Sequence, residues 1–596
     1  MSRFKRPSLE TILTTAKETR SQADWSMVWS TEEAGSSRHS RAHSRRKYRR
    51  RALAAAAALA AHCRAPAHAL NDGYFTFLLF LVLATAVLAN PMRHFELYLG
   101  QWSLSGPGRA FRYIPMLDGI GIAICINALV RAITSATSAA IAGVYLTGTL
   151  ADADLPFTYC RNESLHRIEA LSSQIDLLTM FKQMQDAQIS GTEYLDENDL
   201  EGTSLDIKTC NLNTSGLHPL YNTPAFNYFY VEVMRFRDKP YFSEFNPTLA
   251  YIIIAVWLLI YAFMLRERFH HGRLIWNNLY RGLVFVPVVS GLVVLTFGFI
   301  HFASVSAHLM KFARAGNRQF FKSMVDAFET ALYVHASGLG TELVFGKGLN
   351  YYANGHIDPL LNAENVCYSA VATLLVVLHA TGAAVCALLD AAPAVHVHES
   401  TLWIMPLYSK CMLAGGYAHL ASSIVFGCLM VSYIVIAFLL IKTALHIIFE
   451  YRVKLVYWER TVMALAVLLC LLLSLIFCTN GGLLLLECVD GAAAGLVTPL
   501  LCVLQLTALL YAYRSRDFLS DMNVATEENA CSTRIDTQWK IIPAVLVLFL
   551  VCKIVTVCYS QLPASLWACA LLPLLAIIIA IPVKGVVMAY KYKVVG

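Results

Sequence analysis

The stretch from Asn71 to Pro115 reads NDGYFTFLLFLVLATAVLANPMRHFELYLGQWSLSGPGRAFRYIP. Its apolar part, residues 75–89, is long enough to cross a lipid bilayer once its flanks are included. Arg93, His94 and Glu96 follow at once, and hydrocarbon tolerates such groups only at its edge or inside a bundle where they find partners. The stretch therefore predicts a membrane helix that packs against other membrane helices.

Composition extends this prediction to the whole chain. The 596 residues are 57% hydrophobic and 15% charged, with a mean hydropathy of +0.53, whereas soluble domains average about 25% charged residues. Long apolar runs lie at 249–265, 282–301, 367–389, 424–448, 461–478, 541–558 and 565–583. Less clean spans lie at 52–70, 75–97, 119–147, 325–345 and 491–513. The sequence predicts an all-α polytopic membrane protein with about twelve transmembrane helices.

Charge and motifs argue against several other functions. The net charge is +7, but the basic residues lie in tails and short loops, which is typical of topology signals rather than of nucleic-acid binding. Most of the 16 cysteines lie inside apolar runs, where cysteine behaves as a small hydrophobic residue. Common phosphate-binding, metalloprotease and hydrolase motifs are missing from suitable contexts. We predict no enzyme activity, no metal site and no nucleic-acid partner.

Polar segments divide the chain. Residues 1–50 end in a basic block, for which we predict a disordered cytoplasmic terminus that can also bind anionic membrane lipid. Spans at 51–148 and 247–590 flank a large polar insertion at 149–246, and residues 591–596 are predicted to be a second cytoplasmic end. The insertion carries glycosylation sequons at Asn162 and Asn213, close to Cys160 and Cys210, as expected of an extracellular loop.

Several motifs resemble the sodium/neurotransmitter symporter family. Asn71-Asp72-Gly73, Pro91 and the run ELYLGQ from Glu96 resemble the family's second helix, which reads roughly NGGGAF, then P, then ELxLGQ. In the same order follow LPFTYCRN from Leu155, FCTNGGLLLLECVDGAAAG from Phe477 and YAYRSRDFLSDMN from Tyr511, similar to LPWxxCxN, xxTxGGxYxxxLxDxxAAG and WxYGxxRFxxDIxxM. The resemblance spans about residues 55–590.

The resemblance implies a fold and a set of sites. The fold has two inverted repeats of five helices around a midplane site, plus two C-terminal helices. Arg64 matches the arginine of the family's outer gate, and Asp326 is expected to face it. Cys160 and Cys210 are expected to form a disulfide. The expected substrate-binding positions are Ala60, Ala61, Ser135, Ser337, Gly338 and Gly340.

The ion ligands of the family are largely missing. By family analogy the ions are Na⁺ and Cl⁻, with sodium held by backbone carbonyls of a broken first helix and by an aspartate and a serine of the eighth. Here the first-helix positions read Ala58-Leu59-Ala60-Ala61, and because alanine favours helix we expect this segment to stay helical. The eighth-helix positions read Leu440 and Ile441, which offer no oxygen ligands.

Three functions are compatible with this pattern. The first is secondary active transport of a small amino-acid-like solute across the plasma membrane by alternating access, with weakened or replaced sodium coupling. The second is a family member without transport that serves as a receptor or accessory membrane subunit. The third is a channel or an unrelated membrane protein. The preserved scaffold motifs favour the first two.

Overall fold

The computed structural model describes residues 38–151, 154–160, 223–235, 244–267, 279–300, 320–349, 360–388, 400–413, 416–526, 533–558 and 564–595. Over these ranges the secondary structure is helical, apart from one antiparallel bridge between Phe245 and Thr479. The longer helices are α1 (Arg38–Ala60), α2 (Arg64–Asp72), α3 (Tyr74–Ser103), α4 (Ile120–Ala151), α5 (Pro247–Glu267), α6 (Leu279–Phe299), α7 (Phe320–Val334), α8 (Thr341–Leu349), α9 (Leu360–Leu388), α10 (Ile404–Met412), α11 (Ala418–Tyr451), α12 (Glu459–Ser474), α13 (Gly482–Ala512), α14 (Ser515–Thr526), α15 (Thr533–Cys558) and α16 (Ala564–Val595).

Ten helical segments of the described ranges are long and apolar enough to cross a membrane. They correspond to α3, α4, α5, α6, α9, α11, α12, α13, α15 and α16. The interrupted segments α1–α2 and α7–α8 are not among them. The all-α polytopic fold is confirmed, and the count of twelve spans stays a prediction.

The bundle has a buried centre and an apolar periphery. In the most apolar window of α4, 78% of the residues are buried, against 11% in that of α16. Helices α11 and α13 are also mostly buried, whereas α5, α6, α12 and α15 expose large hydrophobic side chains. A membrane protein places such side chains against lipid, so the outer helices shield a polar centre.

The first segment is interrupted at residues 61–63, contrary to the expectation from its alanines. Pro66 has no N–H to donate to the carbonyl of His62, four residues earlier, and its ring clashes with that carbonyl. A regular helix therefore breaks at His62. The N–H of Cys63 donates instead to the hydroxyl of Tyr433 on α11, at 3.1 Å. Proline geometry and this tertiary contact override alanine's helix propensity.

The sixth segment is interrupted at residues 335–340, between α7 and α8. Ala336, Gly338 and Gly340 have φ values of +52°, +71° and +74°, in the left-handed region that a continuous right-handed helix does not use. The two interrupted segments therefore bring non-helical backbone into the interior of the bundle, where it can line a cavity.

Helix α1 begins earlier than predicted. Residues 38–50, expected to be disordered, continue the helix of the first segment. Arginine, lysine and alanine are good helix formers, and a helix already nucleated by packing extends at little cost.

Close packing between α3 and α8 gives a test of the fold. A Cβ added at Gly100 would lie 2.2 Å from the carbonyl oxygen of Leu343, whereas one at Gly427 on α11 has its nearest neighbour, in Leu146, at 3.8 Å. We expect Gly100→Ala to destabilise the protein by about 1–3 kcal/mol through overpacking, and Gly427→Ala to leave it unchanged or slightly more stable. Thermal unfolding of the purified variants, followed by size-exclusion fluorescence, measures both. Equal melting temperatures for the two variants would contradict the packing described here.

Candidate functional site

A small buried cavity lies beside the interruption of the first segment. Its volume is about 20 Å³, which is enough for water and too little for an intact amino acid with a bulky side chain. Side chains from the interruption, from helices α2, α4, α7, α11 and α13, and from the turn Thr401–Trp403 line it. They are His62, Arg64, Thr134, Ser135, Ser138, Tyr333, Thr401, Leu402, Tyr433, Leu486, Glu487 and Asp490.

Ion pairs form one wall of this cavity. The guanidinium of Arg64 is 5% exposed and donates to the carboxylates of Glu329 on α7 and Asp490 on α13. The Nε of Arg131 lies 3.8 Å from Asp490 Oδ1, and its guanidinium carbon lies 4.0 Å from the centre of the Tyr333 ring. Arg131 thus has the partners that a charge in the middle of a membrane helix requires. Together these contacts join α2, α4, α7 and α13.

The predicted pair of Arg64 with Asp326 is wrong. Asp326 Oδ1 lies 2.9 Å from Lys553 Nζ of α15, and the same ammonium lies 2.5 Å from Glu329 Oε2. The residue that meets Arg64 is Glu329, one helical turn after Asp326. Both carboxylates are buried, and α15 supplies a lysine that neutralises Asp326 without help from Arg64.

Three ligand-type side chains also cluster beside α2. One atom each of His68, Asp72 and Asp326 lie within 4.8 Å of one another. Lys322 Nζ lies 3.0 Å from Asp72 Oδ1, and Lys553 already pairs with Asp326. Two ammonium groups therefore occupy the positions from which a metal ion would neutralise these carboxylates, and we assign no metal here.

The ion pairs of Arg64 form one closure of the bundle, and a second closure, around Glu450, lies at the C-terminal end of α11. The carboxylate of Glu450 accepts hydrogen bonds from the backbone N–H groups of Gly106, at 2.6 Å, and Gly108, at 3.0 Å. Lys347 Nζ of α8 and His446 Nε2 lie 3.0 and 3.2 Å from Glu450 Oε1. One carboxylate thus ties the turn after α3 to α8 and α11.

The eighth predicted span, α11, does not fit a sodium ion. Leu440 and Ile441 are buried and aliphatic, and the ammonium of the next residue, Lys442, lies 2.5 Å from Glu267 Oε2 of α5. The hydroxyl of Thr443 is the nearest side-chain oxygen along the helix, and it donates to the carbonyl of residue 439 at 2.9 Å. Sodium requires several hard oxygen ligands in place of its water, and this stretch does not supply them. Chloride binding stays a prediction from the family resemblance.

Two of the predicted site residues meet at the cavity. Ser135 of α4 and Arg64 of α2 both line it. Ala60 is the last residue of α1, and Ala61 is the first of the interruption; both are buried and neither lines the cavity.

The three predicted residues of the sixth segment lie elsewhere. Ser337 is fully buried. The N–H of Gly338 donates to Glu96 Oε1 at 2.9 Å, and a Cβ at Gly340 would meet Pro107 at 2.6 Å. These positions pack against α3 and the turn after it, outside the cavity described here. Their role in binding stays a prediction.

Most of the residues predicted to carry the disulfide and the glycosylation sites of the large loop lie outside the described ranges. Cys160 is disulfide-bonded, whereas Cys210, Asn162 and Asn213 lie outside the described residues. The Cys160–Cys210 pairing and the two glycosylation sites therefore stay predictions.

Sequence reasoning missed most of the cavity wall. The missed residues include His62, Tyr333, Tyr433 and Glu487. A usable signal existed for Glu487, because it precedes the motif residue Asp490 by three positions on α13 and so shares its helix face. The others lie on three different segments, and only the tertiary fold joins them.

This geometry defines a class of protein. Two interrupted segments inside a bundle of helices long enough to cross a membrane, a buried polar cavity beside one of them and ion-pair closures at Arg64 and Glu450 are the arrangement of a membrane transporter. The chain belongs to the sodium:neurotransmitter symporter family, whose family model matches residues 44–594. Comparison with curated proteins gives no match.

The ion-pair network gives a second test. Lys553, 12% exposed, neutralises two buried carboxylates, whereas Lys540 of the same helix is 42% exposed and pairs with Asp536. We expect Lys553→Met to destabilise the protein by about 3–5 kcal/mol because it leaves buried charge unpaired, and Lys540→Met by less than about 1 kcal/mol. Melting temperatures in the same detergent give the comparison. A decrease in melting temperature that is no larger for Lys553→Met than for Lys540→Met would refute the network.

Proposed function

We propose that the protein is a secondary active transporter that carries a small amino-acid-like solute across the plasma membrane by alternating access, with both termini cytoplasmic. The observation that carries this proposal is the buried polar cavity between a closure at Arg64 and a closure at Glu450. Alternating access needs a site that can be sealed at either end, and each closure consists of ion pairs and hydrogen bonds that can break and re-form.

We further propose that transport does not depend on sodium. Support comes from α11, where the positions expected to carry oxygen ligands are Leu440 and Ile441, and the next residue is Lys442. Aliphatic side chains offer no oxygen to a cation, and the Lys442 ammonium is already paired with Glu267, so this region favours coupling to another gradient or none.

A second candidate is a transport-inactive receptor or accessory subunit. One observation favours it: the cavity has a volume of only about 20 Å³, and the Arg64 guanidinium beside it is held by two carboxylates at once. Breaking a buried pair costs several kcal/mol, so a permanently closed protein is physically reasonable.

Uptake into proteoliposomes separates these candidates. Purified protein is reconstituted, and uptake of a panel of labelled amino acids is measured with sodium and with choline in its place, against protein-free liposomes. We expect saturable uptake of small amino acids whose rate changes less than twofold on replacing sodium. Strictly sodium-dependent uptake contradicts the proposed independence, and no uptake of any solute favours the second candidate.

A further inference from the structure

The charged groups around the cavity are matched with one exception. Three cations, Arg64, Arg131 and Lys553, pair with three carboxylates, those of Glu329, Asp490 and Asp326. Each is buried or nearly so, and each has an opposite charge within 4 Å. This part of the wall is electrically neutral and needs no ion from outside.

Glu487 is the exception. Its carboxylate lines the cavity and is 8% exposed. It accepts hydrogen bonds from the Ser400 hydroxyl and the Thr401 N–H, both at 2.9 Å, and from the Thr401 hydroxyl at 3.1 Å. Among the described residues no lysine, arginine or histidine forms an ion pair with it. Hydrogen bonds satisfy part of a buried carboxylate, but its charge remains open to a cationic ligand.

His62 supplies a second open group on the same cavity. Its ring is 2% exposed and lies against Tyr433, with ring centres 4.1 Å apart. Its Nδ1 is hydrogen-bonded to the hydroxyl of Tyr333, and its Nε2 has no hydrogen-bond partner among the residues that the structure describes. A phenol is a better donor than acceptor, so we assign the Tyr333 proton to this bond, which leaves Nε2 carrying the imidazole hydrogen. A buried donor without a partner is costly, and a bound acceptor would satisfy it.

We propose that Glu487 determines the specificity of the cavity by binding a protonated amine of the solute, while His62 Nε2 donates a hydrogen bond to an acceptor oxygen of the same solute. The ligand class is a small zwitterion, the size of glycine or alanine, because a carboxylate and a hydrogen-bond donor line the same cavity. The enclosed space of about 20 Å³ holds little more than water, so the cavity must widen even for this ligand, and a bulky side chain would require still more space. The physiological role of this site rests on the proposed transport function, but binding can be tested without it.

The experiment uses the full-length purified protein and radiolabelled glycine as the probe, with binding read by scintillation proximity. Glu487→Gln keeps an oxygen that accepts from Ser400 and Thr401 while removing the charge. We expect it to raise the Kd for glycine at least about tenfold, as loss of a charge-assisted contact does. Asp536→Asn, which also removes one carboxylate from the protein, is the matched control and should leave the Kd unchanged.

Two variants test the histidine. In His62→Asn the amide oxygen replaces Nδ1 as the acceptor for Tyr333, and nothing replaces Nε2. In His62→Gln the longer side chain returns an amide N–H near the position of Nε2. We expect at least about a fivefold increase in Kd for the first and a smaller one for the second.

Truncated ligands give the sharpest discrimination. Methylammonium lacks the carboxylate, and acetate lacks the amine. We expect Glu487→Gln to abolish competition by methylammonium and retain that by acetate, and His62→Asn to do the reverse. Variants are compared only after size exclusion and thermal unfolding show that they are folded.

The outcomes separate this inference from the transport proposal. If Glu487→Gln binds glycine like the wild type, or if the folded wild type binds no glycine, the assignment is overturned whatever the uptake result. If binding depends on Glu487 and His62 as stated but no solute crosses the membrane, the assignment stands and transport fails. If solutes are carried at equal rates by wild type and Glu487→Gln, transport stands and the assignment fails.

Discussion

Arg64 cannot lose its proton inside the bundle, so its charge must be met by carboxylates at the place where the fold puts it. The two that meet it, Glu329 and Asp490, come from helices that are far apart in the sequence. Glu329 then needs Lys553, which in turn neutralises Asp326. One buried guanidinium thus fixes the relative positions of α2, α7, α13 and α15, and residues of the first three of these helices line the cavity. The same matching leaves Glu329, Asp490 and Asp326 without unbalanced charge to offer a mobile cation, in contrast to Glu487.

Much of the fold was predictable because long apolar runs are read directly from composition. The apolar run at 249–265 lies in helix Pro247–Glu267, and the run at 424–448 lies in helix Ala418–Tyr451. The interruption at 335–340 was also predictable, since glycines there permit left-handed backbone. The interruption at 61–63 was missed because alanine propensity was given more weight than Pro66, although a proline forbids the helical bond to the residue four positions earlier.

The site was less predictable, for a physical reason. Arg64 and Ser135 could be placed through motif resemblance, and both line the cavity. The partner of Arg64 could not, because Asp326 and Glu329 lie on one face of α7 and only the position of Lys553 on another helix decides between them. His62 carries no sequence pattern at all. Its importance arises from a missing hydrogen bond, which exists only in three dimensions.

The hydrogen bonds of Glu450 with Gly106 and Gly108 and its ion pair with Lys347 have a thermodynamic consequence. All these contacts share a single carboxylate, so a movement that carries Glu450 away weakens them together. Displacing the C-terminal end of α11 therefore costs several charge-assisted contacts at once, whereas displacing Lys347 alone leaves the two backbone hydrogen bonds in place.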